Sequence, residues 1–309
     1  MAHLTVIKPG MLTTIQDLGR WGYQSSGVPV AGPMDEYSHR AANRLVGNPD
    51  TAAALEVTVL GPELQAAAGD LVCAVTGAEF DLTVGSSSVP MHVRFTLPFG
   101  SRLRFGRRRR GARAMLAVRG GFEVEEVFGS RATSLISRVG PLGGRALIGG
   151  DVLPVGVADG EAEHWSVRPL ALPAGGARLR VIVGPHRAMF TPSAYERLFG
   201  SRFVVTPHSN RMGYRLEGPS LTHAPGAAIL SDATPMGSLQ VPASGLPILL
   251  MADRQTTGGY PKIATVISAD LPLAGQLAPG DWVEFAVCSR EAAIGALAEQ
   301  RRLLRPTRS

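Results

Sequence analysis

A run of polar and glycine residues in the last third of the chain carries the groups best suited to chemistry. From Asp253 to Lys262 it reads Asp-Arg-Gln-Thr-Thr-Gly-Gly-Tyr-Pro-Lys, and only two of the 31 basic residues in the chain, Lys8 and Lys262, are lysines. A glycine pair lets backbone N–H groups approach a ligand closely, and an ammonium beside it can bind a carboxylate or phosphate. A hairpin turn followed by a solvated lysine is the alternative interpretation.

Other candidate residues for binding or proton transfer lie elsewhere in the chain. Asp35 follows a loop rich in Gly and Pro, where it fits a helix N-cap and also places charge at a helix N-terminus. Residues Gln16–Arg20 combine an amide, a carboxylate and a guanidinium. Arg211 suits two-point binding of a carboxylate or phosphate, and a structural Arg–Glu pair is the alternative. His186 and His208 are candidate acid–base groups, and the sequence has no Walker A motif, dinucleotide fingerprint or metal-binding cluster.

Basic charge is concentrated in one stretch of a chain whose net charge is +6 and whose pI is ≈ 9.9. Seven arginines lie between Arg102 and Arg113, and Gly106 and Gly111 bracket a run of four. This pattern predicts a solvated, charged hairpin loop. Nucleic-acid-binding proteins usually add interleaved aromatic residues or a groove-entering helix, and the stretch has neither. We therefore expect no nucleic-acid function.

Length and composition limit the remaining classes of protein. A chain of 309 residues with 45% hydrophobic residues fits two domains with buried cores. Its first residues lack the charged and apolar regions of a signal peptide, and no apolar run approaches the roughly 18 residues that span a bilayer. Cys73 and Cys288 are too few and too far apart for a disulfide framework or a structural zinc site. We expect a soluble, cytoplasmic protein that does not enter membranes.

The elements that must position these residues are mainly β-strands. Short runs of β-branched residues alternate with turns formed from 37 Gly and 23 Pro, which favours barrels or sandwiches over βαβ layers. Three helices are predicted from their caps and stops: Asp35 to Val46, Thr191 to Gly200, and Ser289 to about Leu303.

Three short matches in the same order indicate a duplicated β domain. Leu60-Gly61-Pro62 returns as Glu217-Gly218-Pro219, Gly120-Gly121-Phe122 as Gly258-Gly259-Tyr260, and Gly150-Asp151-Val152 as Gly280-Asp281-Trp282. We expect an N-terminal β-barrel subdomain over residues 1–170, with a helical insertion near 35–47, and a C-terminal barrel subdomain with a C-terminal helix over 171–309. The double-glycine turn is expected to be structural in both copies. Gln255 and Lys262 occur in the second copy alone and are the functional candidates.

These motifs together resemble a known family, which comprises the 5-oxoprolinase C-subunit, allophanate hydrolase subunit two, KipA and the biotin-dependent carboxyltransferase domain. The resemblance covers nearly the whole chain. Its blocks are Ile15 to Gly22, Gly27 to Asp35, Ala54-Leu55-Glu56, Asn210 to Leu216, Gly237 to Pro242, and Asp253 to Asp270, the last being the most specific. Ala31, Pro33 and Asp232 depart from the family's usual serine, alanine and glutamate, which affects the expected substrate rather than the fold.

The resemblance implies a fold and an assembly. It implies two cyclophilin-like β-barrel subdomains with a few short helices, consistent with the repeat. It also implies a heteromeric complex with the small subunit of the same system (allophanate hydrolase subunit one, KipI-like) and with a LamB/YcsF-type subunit.

Three functions are compatible with the resemblance. The first is a subunit of ATP-dependent 5-oxoprolinase, which opens pyroglutamate to glutamate and needs ATP and Mg²⁺ with the partner subunits. The second is carboxyl transfer from carboxybiotin to urea or a similar small amide, with biotin supplied by another chain. The third is a non-catalytic antagonist of a kinase-inhibitor partner.

Side-chain chemistry suggests roles for the candidate residues under the first function. Lys262 and Arg211 would bind phosphoryl charge, and Asp253 or Asp35 would hold Mg²⁺ or polarise a proton. Gln255 and Gln240 would orient the substrate amide. Gly258, Gly259 and Tyr260 complete the expected substrate-binding segment.

Overall fold

The computed structural model describes residues 2–158, 160, 165–224, 226–305 and 307–308. It divides the chain into two compact units. The first comprises Met1–Arg20, Ala31–Leu172 and Arg301–Ser309, and the second comprises Trp21–Val30 and Pro173–Gln300. Both units are built on β-sheets with a few short helices, which confirms the predicted fold class. Within the described ranges, none of the helices has the length and apolar character needed to cross a bilayer.

The elements follow the chain in this order. The strands are β1 (His3–Lys8), β2 (Leu12–Gln16), β3 (Ala54–Thr58), β4 (Glu63–Ala68), β5 (Leu71–Val84), β6 (Ser87–Val89), β7 (Arg94–Leu97), β8 (Arg102–Val118), β9 (Val152–Pro154), β10 (Trp165–Ser166), β11 (Gly176–Val183), β12 (Phe203–Val205), β13 (Gly213–Glu217), β14 (Asp232–Ala233), β15 (Ser238–Gln240), β16 (Ile248–Leu250), β17 (Thr257–Gly258), β18 (Lys262–Val266), β19 (Trp282–Val287) and β20 (Thr307–Arg308). The helices are α1 (Glu36–Leu45), α2 (Pro141–Gly144), α3 (Pro192–Gly200), α4 (Leu271–Gly275) and α5 (Arg290–Leu303).

The three predicted helices are confirmed as α1, α3 and α5. Capping residues explain where helices α1 and α3 begin. Asp35 caps α1 by accepting the Ser38 N–H at 2.9 Å, and Thr191 caps α3 by accepting the Ala194 N–H at 3.3 Å. Such caps satisfy backbone donors that the first turn of a helix leaves without a partner.

The first unit is a nine-stranded antiparallel sheet in the order β2-β3-β8-β4-β1-β9, with β5 paired to β8 and carrying β6 and β7. Its core consists of apolar side chains that alternate along these strands, because successive residues of a strand face opposite sides of the sheet. Members of this core include Leu4, Val6, Leu55, Leu64, Val75, Leu103, Leu116 and Phe122.

The arginine-rich stretch is part of a strand, so the predicted hairpin loop is wrong. It lies in β8, which pairs with β5 from Cys73 to Val84 with three register shifts. Leu103 and Phe105 are buried, while Arg102 and Arg104 beside them pair with Glu63 at 2.8 and 3.3 Å. Apolar and arginine residues therefore alternate at the start of the stretch with the period of a strand.

The second unit is a closed barrel of seven strands in the order β11-β18-β15-β16-β13-β12-β19, closed by parallel pairing of β11 with β19. Strands β14 and β17 are outside the barrel and, among the described strands, pair only with each other. This small ribbon, formed by residues 232–233 and 257–258, is called the β14–β17 ribbon below. It brings the segment before β15 next to the segment before β18.

One repeated turn has the same geometry in both units, as the duplication predicts. Gly150 and Gly280 have φ angles of +91° and +93°, a conformation that favours glycine. The Oδ2 atoms of Asp151 and Asp281 each accept a backbone N–H from three residues earlier at 2.8 Å. Each glycine N–H donates at 2.8 Å to a strand carbonyl of its own unit.

Candidate functional site

The β14–β17 ribbon places two distant segments of the second unit side by side. Asp232 is paired with Gly258, and Ala233 with Thr257. Two backbone bonds extend the pairing, from the Thr234 N–H to the Thr256 carbonyl at 3.1 Å and from the Ile229 N–H to the Gly259 carbonyl at 3.0 Å. Residues 229–234 therefore border the Gly-Gly-Tyr-Pro-Lys segment.

Lys262 begins β18 with a buried side chain, so the alternative interpretation of a solvated lysine is wrong. Its Nζ donates to Asp232 Oδ2 at 2.6 Å and to the Ala233 carbonyl at 2.8 Å. The Lys262 side chain is 3% exposed, whereas that of Asp232 is 52% exposed. The hydrogen bond from Lys262 holds the pKa of Asp232 below its usual range. The ammonium is thus held at the end of a strand, behind a carboxylate that reaches solvent.

His186 lies beside Lys262 and Asp232. Its Nδ1 lies 3.1 Å from the Lys262 backbone nitrogen, which donates to it. Because Nδ1 accepts a hydrogen bond, the neutral imidazole carries its proton on Nε2, and Nε2 lies 4.0 Å from Asp232 Oδ2. Burial and the charge of Lys262 lower the pKa of His186, and Asp232 opposes them. His186 is therefore neutral at pH 7 and presents an N–H toward Asp232.

Gln240 and Gln255 form an amide pair beside the ribbon. Gln255 Nε2 donates to Gln240 Oε1 at 3.3 Å, and Gln240 Nε2 donates to the Tyr260 carbonyl at 3.4 Å. A Cβ on Gly258 would approach Gln240 Nε2 at 2.7 Å and Gln255 Nε2 at 3.2 Å. A methyl group at position 258 would therefore displace the amide of Gln240 from its present position.

The expectation that the double glycine forms the same turn in both copies is wrong. Gly120 and Gly121 have φ angles of +93° and +70°, whereas Gly258 and Gly259 do not have positive φ angles. Gly258 instead belongs to the ribbon and lies against the amide pair. The first copy uses its glycines for a turn, and the second copy uses Gly258 to admit neighbouring side chains.

Tyr260 connects these residues to an open groove on the second unit. Its side chain is 46% exposed. The groove has a volume of about 520 Å³, within the range of small-molecule sites. It is lined by Thr206, His208, Arg215, Leu216, Glu217, Pro242, Ser244, Leu246, Pro247, Ile248 and Tyr260. His208, which the sequence offered as an acid–base candidate, lies in this groove.

Arg211 and Asp253 bind each other inside the second unit. Arg211 Nε lies 3.2 Å from Asp253 Oδ2, and Nη2 lies 3.0 Å from Oδ1. The side chains are 3% and 0% exposed. This is the structural ion pair that the sequence left as an alternative, although the partner is an aspartate. Two-point pairing of a buried carboxylate with a guanidinium leaves Asp253 poorly suited to hold Mg²⁺.

Arg254 supports the same region and was not identified from the sequence. Its Nε donates to the Thr234 carbonyl at 2.6 Å, which fixes the end of the ribbon. Burial lowers the pKa of Arg254 to about 10. In the sequence, the feature that could have indicated this role is the position of Arg254 directly after Asp253.

Asp35 belongs to the first unit and acts there as a helix cap. Its Oδ1 accepts the Ser38 N–H at 2.9 Å and its Oδ2 accepts the Ser38 hydroxyl at 2.6 Å. Asp17, in the nearby sequence block, accepts the Gly19 N–H at 2.8 Å and the Ser130 hydroxyl at 2.6 Å. Both carboxylates are buried and organise loops of the first unit. These contacts do not fit the suggestion that Asp35 holds Mg²⁺.

The arrangement in the second unit defines a class of site. It combines one buried ammonium, one neutral histidine N–H and a pair of primary amides near an open groove. Groups of these types bind oxyanions and small amides. The protein is thus a two-unit β protein whose barrel carries a polar candidate site with the groups suited to anions and amides.

Comparison with known proteins identifies the family. The model of the family described as "Carboxyltransferase domain, subdomain A and B" matches residues 26–287, and the chain belongs to that family. The chain is 39% identical to the 5-oxoprolinase C-subunit of Escherichia coli over 97% of this chain and 96% of that protein. It is 36% identical to the 5-oxoprolinase C-subunit of Haemophilus influenzae over 91% and 90%.

Similarity to a solved structure extends over the same length. The crystal structure of the K. lactis urea amidolyase matches with a TM-score of 0.92 and 31% sequence identity. The match covers 98% of this chain and 20% of that larger chain. The fold of this chain is therefore also found as one part of a multidomain protein.

Proposed function

We propose that this chain is a subunit of an ATP-dependent 5-oxoprolinase, which opens pyroglutamate to glutamate together with partner subunits. The observation that carries the proposal is the 39% identity to a 5-oxoprolinase C-subunit over nearly the full length of both chains. The polar site on the barrel supports it, because pyroglutamate carries one carboxylate and one cyclic amide.

The reaction explains why ATP is needed. An amide carbonyl is a poor electrophile, and transfer of the γ-phosphoryl group of ATP to its oxygen activates the carbonyl carbon for attack by water. The ring C–N bond then breaks with the nitrogen leaving as the free amine, and a second water releases phosphate from the acyl phosphate that remains. A site for this reaction must bind negative charge and orient the amide. Lys262 provides the ammonium, and Gln240 and Gln255 provide amide donors and acceptors close to it in the same unit. Arg211 stabilises this region through Asp253 rather than contacting the substrate.

Partner subunits are part of the proposal. Two carboxylates were candidates for binding Mg²⁺. Asp35 caps helix α1, and Asp253 is paired with Arg211. We therefore expect Mg²⁺ and ATP to be held with the help of the small KipI-like subunit and the LamB/YcsF-type subunit. Soluble assembly in the cytoplasm fits this role.

The test is ATP hydrolysis by the co-purified complex with and without pyroglutamate. We expect pyroglutamate-dependent ADP release that Lys262→Ala abolishes. Lys8→Ala is the matched control, because Lys8 is 76% exposed in the other unit and pairs weakly with Glu63 at 3.9 Å. Equal ADP release with and without pyroglutamate, in the presence of all subunits, would refute the proposal.

Carboxyl transfer to urea or a similar small amide is the second candidate. The family description and the TM-score of 0.92 to the urea amidolyase structure favour it. Biotin carboxylase and biotin carrier chains would then be required as partners. Carboxylation of urea by this chain with free carboxybiotin, in the absence of ATP, would support this candidate over the first.

A further inference from the structure

The ion pair between Lys262 and Asp232 is unequal in its exposure to water. The lysine side chain is 3% exposed and the aspartate side chain is 52% exposed. A buried ammonium without an anion is costly, whereas a half-exposed carboxylate is readily hydrated when it moves away. Separating the pair therefore costs little if another anion takes the place of the carboxylate.

The carboxylate lies outside the barrel, on the β14–β17 ribbon. Asp232 belongs to a strand of two residues that pairs with β17 and with no other strand in the described part of the chain. Leu230, two residues earlier, is 93% exposed. A two-stranded ribbon of this length has little stability of its own. Lys262, by contrast, is held in the barrel by pairing of β18 with β15 and β11.

A second donor faces the position that the carboxylate occupies. Asp232 Oδ2 lies 2.6 Å from Lys262 Nζ and 4.0 Å from His186 Nε2. The Lys262 backbone N–H bonds to His186 Nδ1 at 3.1 Å and so keeps the proton of the neutral ring on Nε2. Asp232 accepts one hydrogen bond from the ammonium, which also donates to the Ala233 carbonyl at 2.8 Å, and leaves the His186 N–H beyond hydrogen-bond distance.

We propose that Asp232 is an internal carboxylate that occupies an oxyanion-binding position between Lys262 and His186, and that an incoming carboxylate or phosphate displaces it. The ligand accepts hydrogen bonds from both Lys262 Nζ and His186 Nε2. Displacement moves the β14–β17 ribbon and leaves the barrel unchanged. The choice of anions rests on the proposed function, but the displacement does not require catalysis.

The lysine content of the chain allows a direct test. Lys8 and Lys262 are the only lysines, so protein labelled with ¹³C at the lysine ε-carbon gives two NMR signals. Lys262→Arg assigns them, and Lys8, which is 76% exposed, serves as an internal reference. The full chain is titrated separately with pyroglutamate and with inorganic phosphate, which distinguishes a carboxylate ligand from a phosphate ligand.

Three variants separate the effects of Asp232 and His186 on anion binding from a general effect of removing a carboxylate. Asp232→Asn removes the competing charge, and we expect it to bind the anion about tenfold more tightly than the wild type. His186→Asn in the Asp232→Asn background retains an acceptor near the Lys262 N–H and removes the Nε2 donor, which should weaken binding by about tenfold. Asp81→Asn is the matched control, because Asp81 is 44% exposed and pairs with Arg109 at 2.7 Å in the other unit.

The outcomes distinguish this inference from the proposed function. Equal anion affinities in wild type and Asp232→Asn would overturn the inference, as would a Lys8 signal that shifts in parallel with that of Lys262. Tighter binding by Asp232→Asn supports the inference even if the complex shows no pyroglutamate-dependent ADP release. Pyroglutamate-dependent ADP release together with equal anion affinities in wild type and Asp232→Asn would support the proposed function and overturn the proposed displacement of Asp232.

Discussion

Arg211 and Asp253 are 42 residues apart in the sequence and are joined by both their side chains and their backbones. Their side chains form a two-point ion pair, and the Asp253 N–H donates to the Arg211 carbonyl at 2.8 Å. Asp253 is the first residue of the segment that leads to Lys262. The ion pair therefore fixes the start of the candidate site to the segment before β13.

Removing one partner of this ion pair should destabilise the second unit strongly. Arg211→Met leaves the Asp253 carboxylate buried without its cation, and a broken buried pair typically costs about 3–5 kcal/mol. We expect guanidinium-induced unfolding, followed by tryptophan fluorescence, to show a loss of this size. Arg109→Met is the control, because Arg109 is 62% exposed and its pair with Asp81 should contribute at most ~1 kcal/mol. Equal losses in the two variants would contradict the structural role of Arg211.

The adjacent glycines should differ in their tolerance of a methyl group. Gly258→Ala places a Cβ 2.7 Å from Gln240 Nε2, so the amide pair must move. A Cβ at Gly259 has no neighbour closer than the Ile229 carbonyl at 3.5 Å, which is ordinary contact. Because the displaced atoms are the ends of flexible side chains, we expect Gly258→Ala to cost at most about 1 kcal/mol of stability and to reduce pyroglutamate-dependent ADP release by at least about tenfold. Gly259→Ala should retain both the stability and the ADP release of the wild type. If both variants lose ADP release, displacement of the amide pair is not the reason for the loss.

Much of the fold could be predicted because its signals are local. The caps Asp35 and Thr191 set the starts of α1 and α3, and the repeated Gly-Asp turn at Gly150 and Gly280 reflects equivalent geometry in the two units. The prediction of a hairpin loop for the arginine-rich stretch was wrong because four consecutive arginines hide the alternation that is typical of a strand. That stretch is a strand because β5 supplies its backbone hydrogen bonds, a non-local cause that the local pattern does not contain.

The candidate site could be predicted as a segment but not as a set of contacts. Lys262, Gln240 and Gln255 lie together in the second unit, as their residue types suggested. The partner of Arg211 is 42 residues away, and the partner of Lys262 is 30 residues away on the ribbon. Pairings at such separations depend on barrel register, so the local sequence does not specify them.

The two cysteines should differ in reactivity. Cys73 is fully buried in the core of the first unit, and burial raises the pKa of its thiol to about 12. The thiolate is the reactive form, so Cys73 should be inert in the native protein. Cys288 is partly exposed. We expect a thiol reagent at pH 8 to modify one cysteine in the native protein and two in guanidinium.

Cys288→Ser provides the control for that experiment. Native Cys288→Ser should take up no reagent, and Cys73→Ala should react as fast as the wild type. Rapid labelling of native Cys288→Ser would show that the core around Cys73 opens readily.

Stability should fall on mild acidification because of a buried histidine. His39 is 0% exposed, and burial lowers its pKa from the usual value near 6.5. Above about pH 6.5 neither state binds this proton, and the stability is fully present. As the pH falls through 6.5, the unfolded chain binds a proton that the native state does not, so the free energy of unfolding decreases. Carboxylates with lowered pKa, such as Asp50 and Glu63, add a separate loss that begins only below about pH 5, as the unfolded chain starts to bind their protons.

His39→Gln isolates the contribution of this residue. Urea unfolding measured between pH 7.5 and 4.5 should show a shallower loss of stability in His39→Gln than in the wild type. His92 and His186 also have lowered pKa values and retain part of the slope. His208→Gln, at an exposed position, is the matched substitution for comparison. An unchanged slope in His39→Gln would mean that His39 gains its proton without unfolding, through opening of the loop at Asp50 whose carbonyl lies 3.1 Å from Nε2.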